Sequence, residues 1–438
     1  MTSLKLSSAE LMDAWPLLSR GDRLDGFRLL ESDGSEELFD RLESRDQAEL
    51  LDQLSPRERR TWMRCLDPDD AADLIQESAD ESRPALLELL DETTRHQVTA
   101  LLAYKEDEAG GLMNPRYARL RPEMTVDEAL SYLRRQNPER VQNLNYPYVL
   151  DQEQRLLGVV SLRRLVASPT SHLVRDIMNE EVICVDEGMD QEQVSEIFAE
   201  HDLIVIPVVD ARHHVKGIVT VDDIVDVVRE EATEDMHKIG GSEALDAPYL
   251  QVRLLEIVRK RVVWLAVLLV LEFMTVLVMR GFDETLKRAV ILAAFVPLII
   301  ASGGNSGSQA ATLVVRAMAL GEVRLRDWWR VIRREIAVGL LLGSTLGALG
   351  LCVALTWYSI DPEPFKGHAL AVASTVAMSV LCVALWGTLA GSTLPLLLQR
   401  LGLDPASASA PLVATLVDAS GLLIYFTIAG LLLTGTLL

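Results

Sequence analysis

Asp418 lies inside the last apolar stretch of the chain, between Pro411 and Leu438, with no basic side chain in that stretch to neutralise it. A carboxylate at the centre of a bilayer costs roughly 2.5–3.5 kcal/mol on insertion scales, so such an acid normally faces a wet cavity, a partner or an ion. Asp418 therefore points to a cation site. The alternatives are a protonated Asp bonded to a neighbouring helix, or a segment that does not span. Pro411, Ala414, Thr415, Asp418, Leu422 and Tyr425 recur at helical spacing, which puts the proline, the small residues and the carboxylate on one face. Pro411 lacks an N–H, and within a span it is expected to free carbonyl oxygens near Asp418, that of Ala414 among them. One carboxylate and a few carbonyls are hard oxygen donors. They suit Mg2+ or another hard cation rather than a soft metal.

An earlier apolar stretch carries PLIIASGGNSGSQAATLVVRAMALGEV. Pro297, Gly303, Gly304 and Gly307 permit close backbone approach, while Asn305, Ser306, Ser308, Gln309 and Thr312 place polar groups at membrane depth. Helix packing alone accounts for the glycines but not for the amides and hydroxyls, so the cluster favours a wet path. Gly303, Asn305 and Gln309 are its expected lining, joined by Pro411 and Thr415. An anion site built on backbone N–H groups would call for a basic residue facing the interior, and the spans offer none. Glu272, in another apolar stretch, is an additional acid. It approaches the path, pairs with a polar neighbour, or lies protonated at a subunit contact, and a packing role is favoured.

The elements that position these residues follow from a split in composition. Of the net charge of −22, residues 1–250 hold −26 and residues 251–438 hold +4. From Arg261 onward, long apolar runs alternate with short charged connectors, the pattern of a helical membrane domain. Five spans are expected, at about 262–280, 286–317, 335–358, 368–398 and 408–437. No basic start followed by an apolar run opens the chain, so the acidic part is expected to stay in the cytoplasm. The connectors on that side then carry Arg253, Arg259, Lys260, Arg261, Arg316, Arg324, Arg326, Arg330, Arg333, Arg334 and Arg400, against Arg280, Lys287, Arg288 and Lys366 opposite. An odd number of spans leaves the C-terminus outside, in a multi-pass protein of the inner (plasma) membrane. Cys65, Cys184, Cys352 and Cys382 are scattered and form neither a disulfide frame nor a zinc site.

Within the acidic part, residues 35–108 read as a short helical repeat restarted at Ser55-Pro56 and Asp67-Pro68, a small superhelix with no catalytic chemistry. Asp69 and Asp73 fall one helical turn apart in it. Residues 113–231 contain a second repeat. MNPRYARLRPEMTVDEALSYLRRQ is echoed by MNEEVICVDEGMDQEQVSEIFAEH, and YPYVLDQEQRLLGVVSLRRLV by IPVVDARHHVKGIVTVDDIVDVV. These copies resemble a tandem pair of cystathionine-β-synthase (CBS) modules, in which a strand followed by Thr/Ser-x-x-Asp holds an adenine nucleotide. Thr220 and Asp223 fit that pattern, whereas the first copy has Ser161 followed by Arg164. A dimerising sensor without nucleotide is the other reading. Beyond the modules, Gln251–Arg261 is too polar to span and too amphipathic for a free linker. It is expected to be a helix against the membrane domain, with Glu243 and Asp246 near the cytoplasmic mouth.

SGGNSGSQAATLVVRAMALGEV followed by SASAPLVATLVDASGLLIYF resembles the MgtE family of magnesium channels, and the likeness covers nearly the whole chain. It implies an acidic superhelix at 1–112, tandem CBS modules at 113–232, a connecting or plug helix at 233–260 and a five-helix all-α transmembrane domain at 261–438. It also implies a homodimer with one pore lined by the second and fifth spans, and Asp418 of each subunit holding hydrated Mg2+. Cytosolic Mg2+ sites of the family map onto Asp69, Asp73, Asp222, Glu243 and Asp246. Arg212 and Gln251 depart from the pattern, standing where some relatives have carboxylates. The expected function is Mg2+ influx through a channel closed by cytosolic Mg2+, with ATP as the nucleotide of the modules, no enzymatic activity and no nucleic-acid partner. The runner-up is a secondary transporter for Co2+ or Mn2+. A membrane-anchored signalling protein would leave Asp418 and the polar second span without a role.

Overall fold

The computed structural model describes residues 6–136, 141–245, 249–250 and 252–437. The protein divides into two compact units, residues 1–231 and 232–438. The first opens with helices Ser8–Ala14, Arg20–Leu29, Ser32–Arg41, Ser44–Gln53, Pro56–Cys65, Pro68–Glu77, Arg83–Leu87 and Glu92–Leu101. The restart signals act as helix starts. Ser55 caps the fifth helix, and its N–H donates to the Glu58 carboxylate at 2.8 Å, while Pro56 and Pro68 occupy first-turn positions where a missing N–H costs nothing. The leucine spacing turns Leu38, Leu50, Leu74 and Ile75 inward, and none is more than 1% exposed.

Two three-stranded sheets follow, one per copy of the second repeat. In each, the first pair of strands is parallel and the second antiparallel: β1 (Tyr117–Leu120), β2 (Asn143–Leu150) and β3 (Leu156–Val159), then β4 (Val185–Asp186), β5 (Val205–Val209) and β6 (Val215–Thr220). A parallel pair needs a crossover, here the helices Val126–Leu133 and Gln191–His201. Tyr148, Leu150, Val205, Val209, Val215 and Ile218 pack the two sheets together. The helical layer and the second copy share one core, in which Leu74 and Ile75 join Phe198, Ile206 and Val219.

β6 leads directly into a 19-residue helix, Val221–Ile239, which runs past the boundary between the units. The helix expected over Gln251–Arg261 is not a separate element. Gln251 lies outside the described residues, and Leu254–Arg261 are the first turns of a helix that continues to Gly281. The reason is local: no Gly or Pro interrupts Leu254–Arg280, whereas Gly240 and Gly241, the latter at φ +75°, end the preceding helix.

Among the described residues, the second unit has five apolar helices long enough to cross a membrane: Leu254–Gly281, Ile291–Ala319, Leu325–Ile360 (opening with a 3-10 turn), Ala369–Arg400 and Ala410–Leu433. Lipid tails give no hydrophobic drive for helix association, so close packing must supply it, and glycine makes that possible. Along the third span, a Cβ at Gly343 or Gly347 would stand 2.7 Å from the carbonyl oxygen of Leu381 or Ala377 on the fourth. Between the second and fourth spans the fit is tighter. A Cβ on Gly387 or Gly391 would overlap the carbonyl oxygen of Gly303 or Gly307.

Gly391→Ala should therefore destabilise the membrane unit by about 1–3 kcal/mol through overpacking. Gly430→Ala, where a Cβ meets nothing within 4 Å, should leave stability unchanged or slightly raised. Thermal unfolding of the two variants in detergent, against the parent chain, checks the contrast.

Candidate cation site and acidic cluster

The fifth span starts at Ser409, a fully buried cap whose Oγ accepts from the Leu412 N–H at 3.4 Å and from the Trp264 indole N–H at 3.2 Å. Pro411 sits in the first turn of an unbroken helix, so the expectation that it frees carbonyls deeper in the span is corrected. First-turn N–H groups have no intrahelical acceptor to lose. The Pro411 carbonyl instead accepts the Thr415 hydroxyl at 3.0 Å, and the Ala410 carbonyl accepts the Ser308 hydroxyl at 3.0 Å. Ala414 stands one turn before Asp418 in this helix, with its methyl toward Gly304. A Cβ built on Gly304 would lie 3.5 Å from the Ala414 methyl and 3.4 Å from Asp418 Oδ1. Gly304 is thus the surface on which the half-buried carboxylate rests.

Gly303, expected to line the path, turns the other way, because Val383 and Val417 fill the space where its side chain would be. Asn305 and Gln309 are exposed, with Thr312 and Arg316 continuing the same stripe along the second span. Polar side chains that their own chain leaves uncovered at membrane depth require water or protein opposite them. The site thus combines one carboxylate, an adjacent glycine surface and an uncovered amide stripe.

A second group of acids lies in the first unit. The helix Pro68–Glu77 presents Asp69, Asp70 and Asp73, and the helix Val221–Ile239 carries Asp222 and Asp223 in its first turn. Asp69 is only 6% exposed and accepts from the Asn114 side chain at 3.0 Å. Desolvation raises the carboxyl of Asp69 well above its ordinary value, with Asp70 and Asp223 adding to it. Burial, then Asp70 and Glu106, pushes Asp73 up to about 8. Burial, partly offset by the hydrogen bond from Thr220, pushes Asp223 up to about 6. Asp70 is raised too, by the protein packed around it and then by Asp223 and Asp67, although its side chain opens to solvent. Sequence spacing signalled Asp69 and Asp73, and the family resemblance added Asp222. Sequence reasoning missed Asp70, whose only signal was its place between them, and read Asp223 as a nucleotide residue. Among the described residues no three His, Cys, Asp or Glu side chains close around a point as a metal cage. Mg2+ dehydrates reluctantly and keeps several waters, so a loose set of carboxylates fits it better than a cage would. Glu243 lies in the second unit, in the turn after the connecting helix, where its N–H donates to the Lys260 carbonyl at 3.4 Å. Asp246 lies outside the described residues.

A cleft of about 260 Å3 opens beside the paired sheets, lined by Tyr146, Tyr148, Asn179, Asp202, Val205 and Pro207 among others. Thr220 and Asp223 do not line it. The Thr220 hydroxyl and N–H donate to Asp223 Oδ2 at 2.7 and 3.2 Å, so the pair caps the start of the following helix.

Residues 296–428 match the family described as a divalent cation transporter, MgtE; residues 6–107 match the MgtE intracellular N domain, and 109–169 and 174–230 match the CBS domain. A magnesium transporter MgtE from Thermus thermophilus is 44% identical over 369 residues, 83% of this chain and 79% of that protein. One from Enterococcus faecalis is 35% identical over 76% of this chain and 71% of its own length. A crystal structure described as the cytosolic domain of the Mg2+ channel MgtE in complex with ATP is 40% identical over 51% of this chain and 91% of that chain, at a TM-score of 0.48.

The raised carboxyls fix the sign of a pH dependence. A folded-state value above the unfolded value of about 3.9 means that the folded chain binds more protons in between, so stability is lost as pH rises through the folded value. In chelator, the full chain should melt at lower temperature at pH 8 than at pH 5.5. Asp73→Asn should flatten that slope, and millimolar Mg2+ should remove most of it. Tryptophan-fluorescence melts across the pH range provide the measurement.

Proposed function

Because the chain belongs to the MgtE family of divalent cation transporters, we propose that it is a Mg2+-selective channel of the plasma membrane, a homodimer that admits Mg2+ and is closed by cytosolic Mg2+. The observation that carries the reading is Asp418 resting on Gly304 beside the uncovered Asn305–Gln309 stripe. A single carboxylate is a weak attractor for a divalent ion, and a symmetric dimer would set a second Asp418 opposite the first. Mg2+ retaining its waters needs few protein ligands, which suits a site with one acid and amide groups per chain. The chain is a transporter and not an enzyme.

Control is proposed to lie in the acidic cluster. At an effective dielectric near 20, two unit charges roughly 4 Å apart repel by about 4 kcal/mol, so crowded carboxylates favour separation until divalent cations bridge them. Asp69, Asp73 and Asp222, with Asp70 and Asp223, are the proposed sensing residues, and Glu243 and Asp246 belong to the same proposal. The helix that carries Asp222 and Asp223 in its first turn carries Lys238 in its last, and Lys238 pairs with Asp404, in the loop before the fifth span, at 2.6 Å. Gly241, just beyond, packs on Trp264 and Pro411. Displacing this helix would therefore pull on the start of the span that holds Asp418. A bias of a few kcal/mol between the two arrangements is enough to gate. The cleft beside the sheets, with two tyrosine rings and the Asp202 carboxylate, is proposed to take an adenine nucleotide such as ATP, with the base on the rings and the ribose on Asp202.

Asp418→Asn in proteoliposomes should raise the half-saturating Mg2+ concentration by roughly tenfold or more, as expected for loss of a charge-assisted contact, and should weaken divalent over monovalent preference. Unchanged Mg2+ flux and selectivity in Asp418→Ala would overturn the site. Discrete single-channel steps would support a pore, whereas saturable flux coupled to protons or Na+ would favour a carrier.

For the gate, millimolar Mg2+ should protect residues 233–260 from protease in the full chain, and Asp222→Asn with Asp223→Asn should abolish the protection. Equal cleavage with and without Mg2+ in the parent chain would remove the mechanism.

A further inference from the structure

We propose that Glu272 of the first span is a second cation-attracting carboxylate at the Asp418 site, so that each chain offers the permeating divalent ion two acids; this rests on the channel reading above. The first span is largely exposed in the single chain. Between Trp264 and Met279 the residues that are not exposed are Trp264, Leu268, Glu272, Thr275, Val278 and Met279. They recur at helical spacing and form one inward stripe, with Glu272 at its centre. A carboxylate facing lipid at this depth would be costly, and Glu272 lies on the side of the helix that its own chain partly covers.

The depth of Glu272 follows from a hydrogen bond. The Trp264 indole donates to Ser409 Oγ at 3.2 Å, levelling the first span with the start of the fifth, and both helices ascend from that point. Glu272 is eight residues beyond Trp264, and Asp418 nine beyond Ser409. At a rise of about 1.5 Å per residue, the two carboxylates stand within about 2 Å of the same height. The two spans run side by side through this depth: Phe282, ten residues beyond Glu272, stacks on Phe426, eight beyond Asp418. Among the described residues, neither acid has a Lys or Arg partner.

A second, independent observation comes from the neighbouring turn. Thr275, 8% exposed and on the same stripe, has a buried hydroxyl with no hydrogen-bond partner among the described residues. Buried polar atoms are normally satisfied, by water where protein does not serve. A hydrated ion beside Glu272 would serve the hydroxyl through its water shell and relieve the repulsion between two acids held at one depth. A packing role explains neither the level match nor the unpartnered hydroxyl.

The test is Mg2+ uptake by the full chain in proteoliposomes, over a range of external Mg2+ and against K+. Glu272→Gln keeps the shape and removes the charge. It should raise the half-saturating Mg2+ concentration about threefold to tenfold and lower the Mg2+/K+ preference, and Glu272→Asp should recover part of both. Thr275→Val, which leaves the carboxylates intact, should shift half-saturation in the same direction by a smaller factor, and it carries the test if Glu272→Gln does not assemble. Half-saturation and selectivity unchanged in Glu272→Gln, or in Thr275→Val if it stands in, would overturn the inference. Asp418→Asn run alongside separates the two levels. If Asp418→Asn loses Mg2+ preference while Glu272→Gln keeps it, only Glu272 is excluded. If both behave as the parent chain, the site itself is wrong.

Discussion

A carboxylate without a base beside it, held where water is scarce, is the constraint around which both units are organised. In the membrane unit it is Asp418, resting on Gly304. In the first unit it is Asp69, Asp73 and Asp223, each lifted above the usual carboxylate range by burial and by its neighbours. Such groups are costly in a protein that meets no cation and useful in one that does. The same physics therefore serves, as proposed, conduction in one unit and sensing in the other.

Bringing an uncharged surface close to Asp418 requires the spans to pack at backbone distance. Gly303 and Gly307 do this by meeting Gly387 and Gly391 across a contact with no room for a Cβ. Because Gly303 is committed to that contact, its neighbour Gly304 is rotated toward Asp418 and Ala414. Adjacent glycines thus have separate tasks, one structural and one at the site. The exposed Asn305 and Gln309 belong to the same geometry: the helix face opposite the glycine contact is what remains uncovered.

The helix Val221–Ile239 begins at the acidic cluster in the first unit and ends in the second. Asp222 and Asp223 begin it, and Lys238, held by Glu234 and Asp404, ends it. Gly241 then turns the chain tightly against Trp264 and Pro411, next to the cap of the fifth span. Trp264 bonds that cap and also sets the depth of Glu272. One aromatic residue therefore sits at the junction of the connecting segment, the first span and the span bearing Asp418.

The sequence by itself determined the class of this protein and most of its elements. Apolar runs of spanning length, the charge asymmetry of their connectors and the prolines at helix starts are local signals, and local signals survive without tertiary information. The five spans and the two copies of the paired modules were legible for that reason. Asp418 was legible because its cost depends on surroundings that the flanking residues already reveal. What depended on rotation or register was decided only by the tertiary structure. Pro411 is the exception, a first-turn residue set by the local cap at Ser409 and misread when the apolar run is taken to continue past it. Gly303 and Gly304 are indistinguishable in sequence but separated by about 100° on the helix, and packing against the fourth span chose between them. Asp70 joined its neighbours, and Glu272 came level with Asp418, because distant segments were brought together. No local pattern records such a meeting, since it is fixed by contacts between residues far apart in the chain.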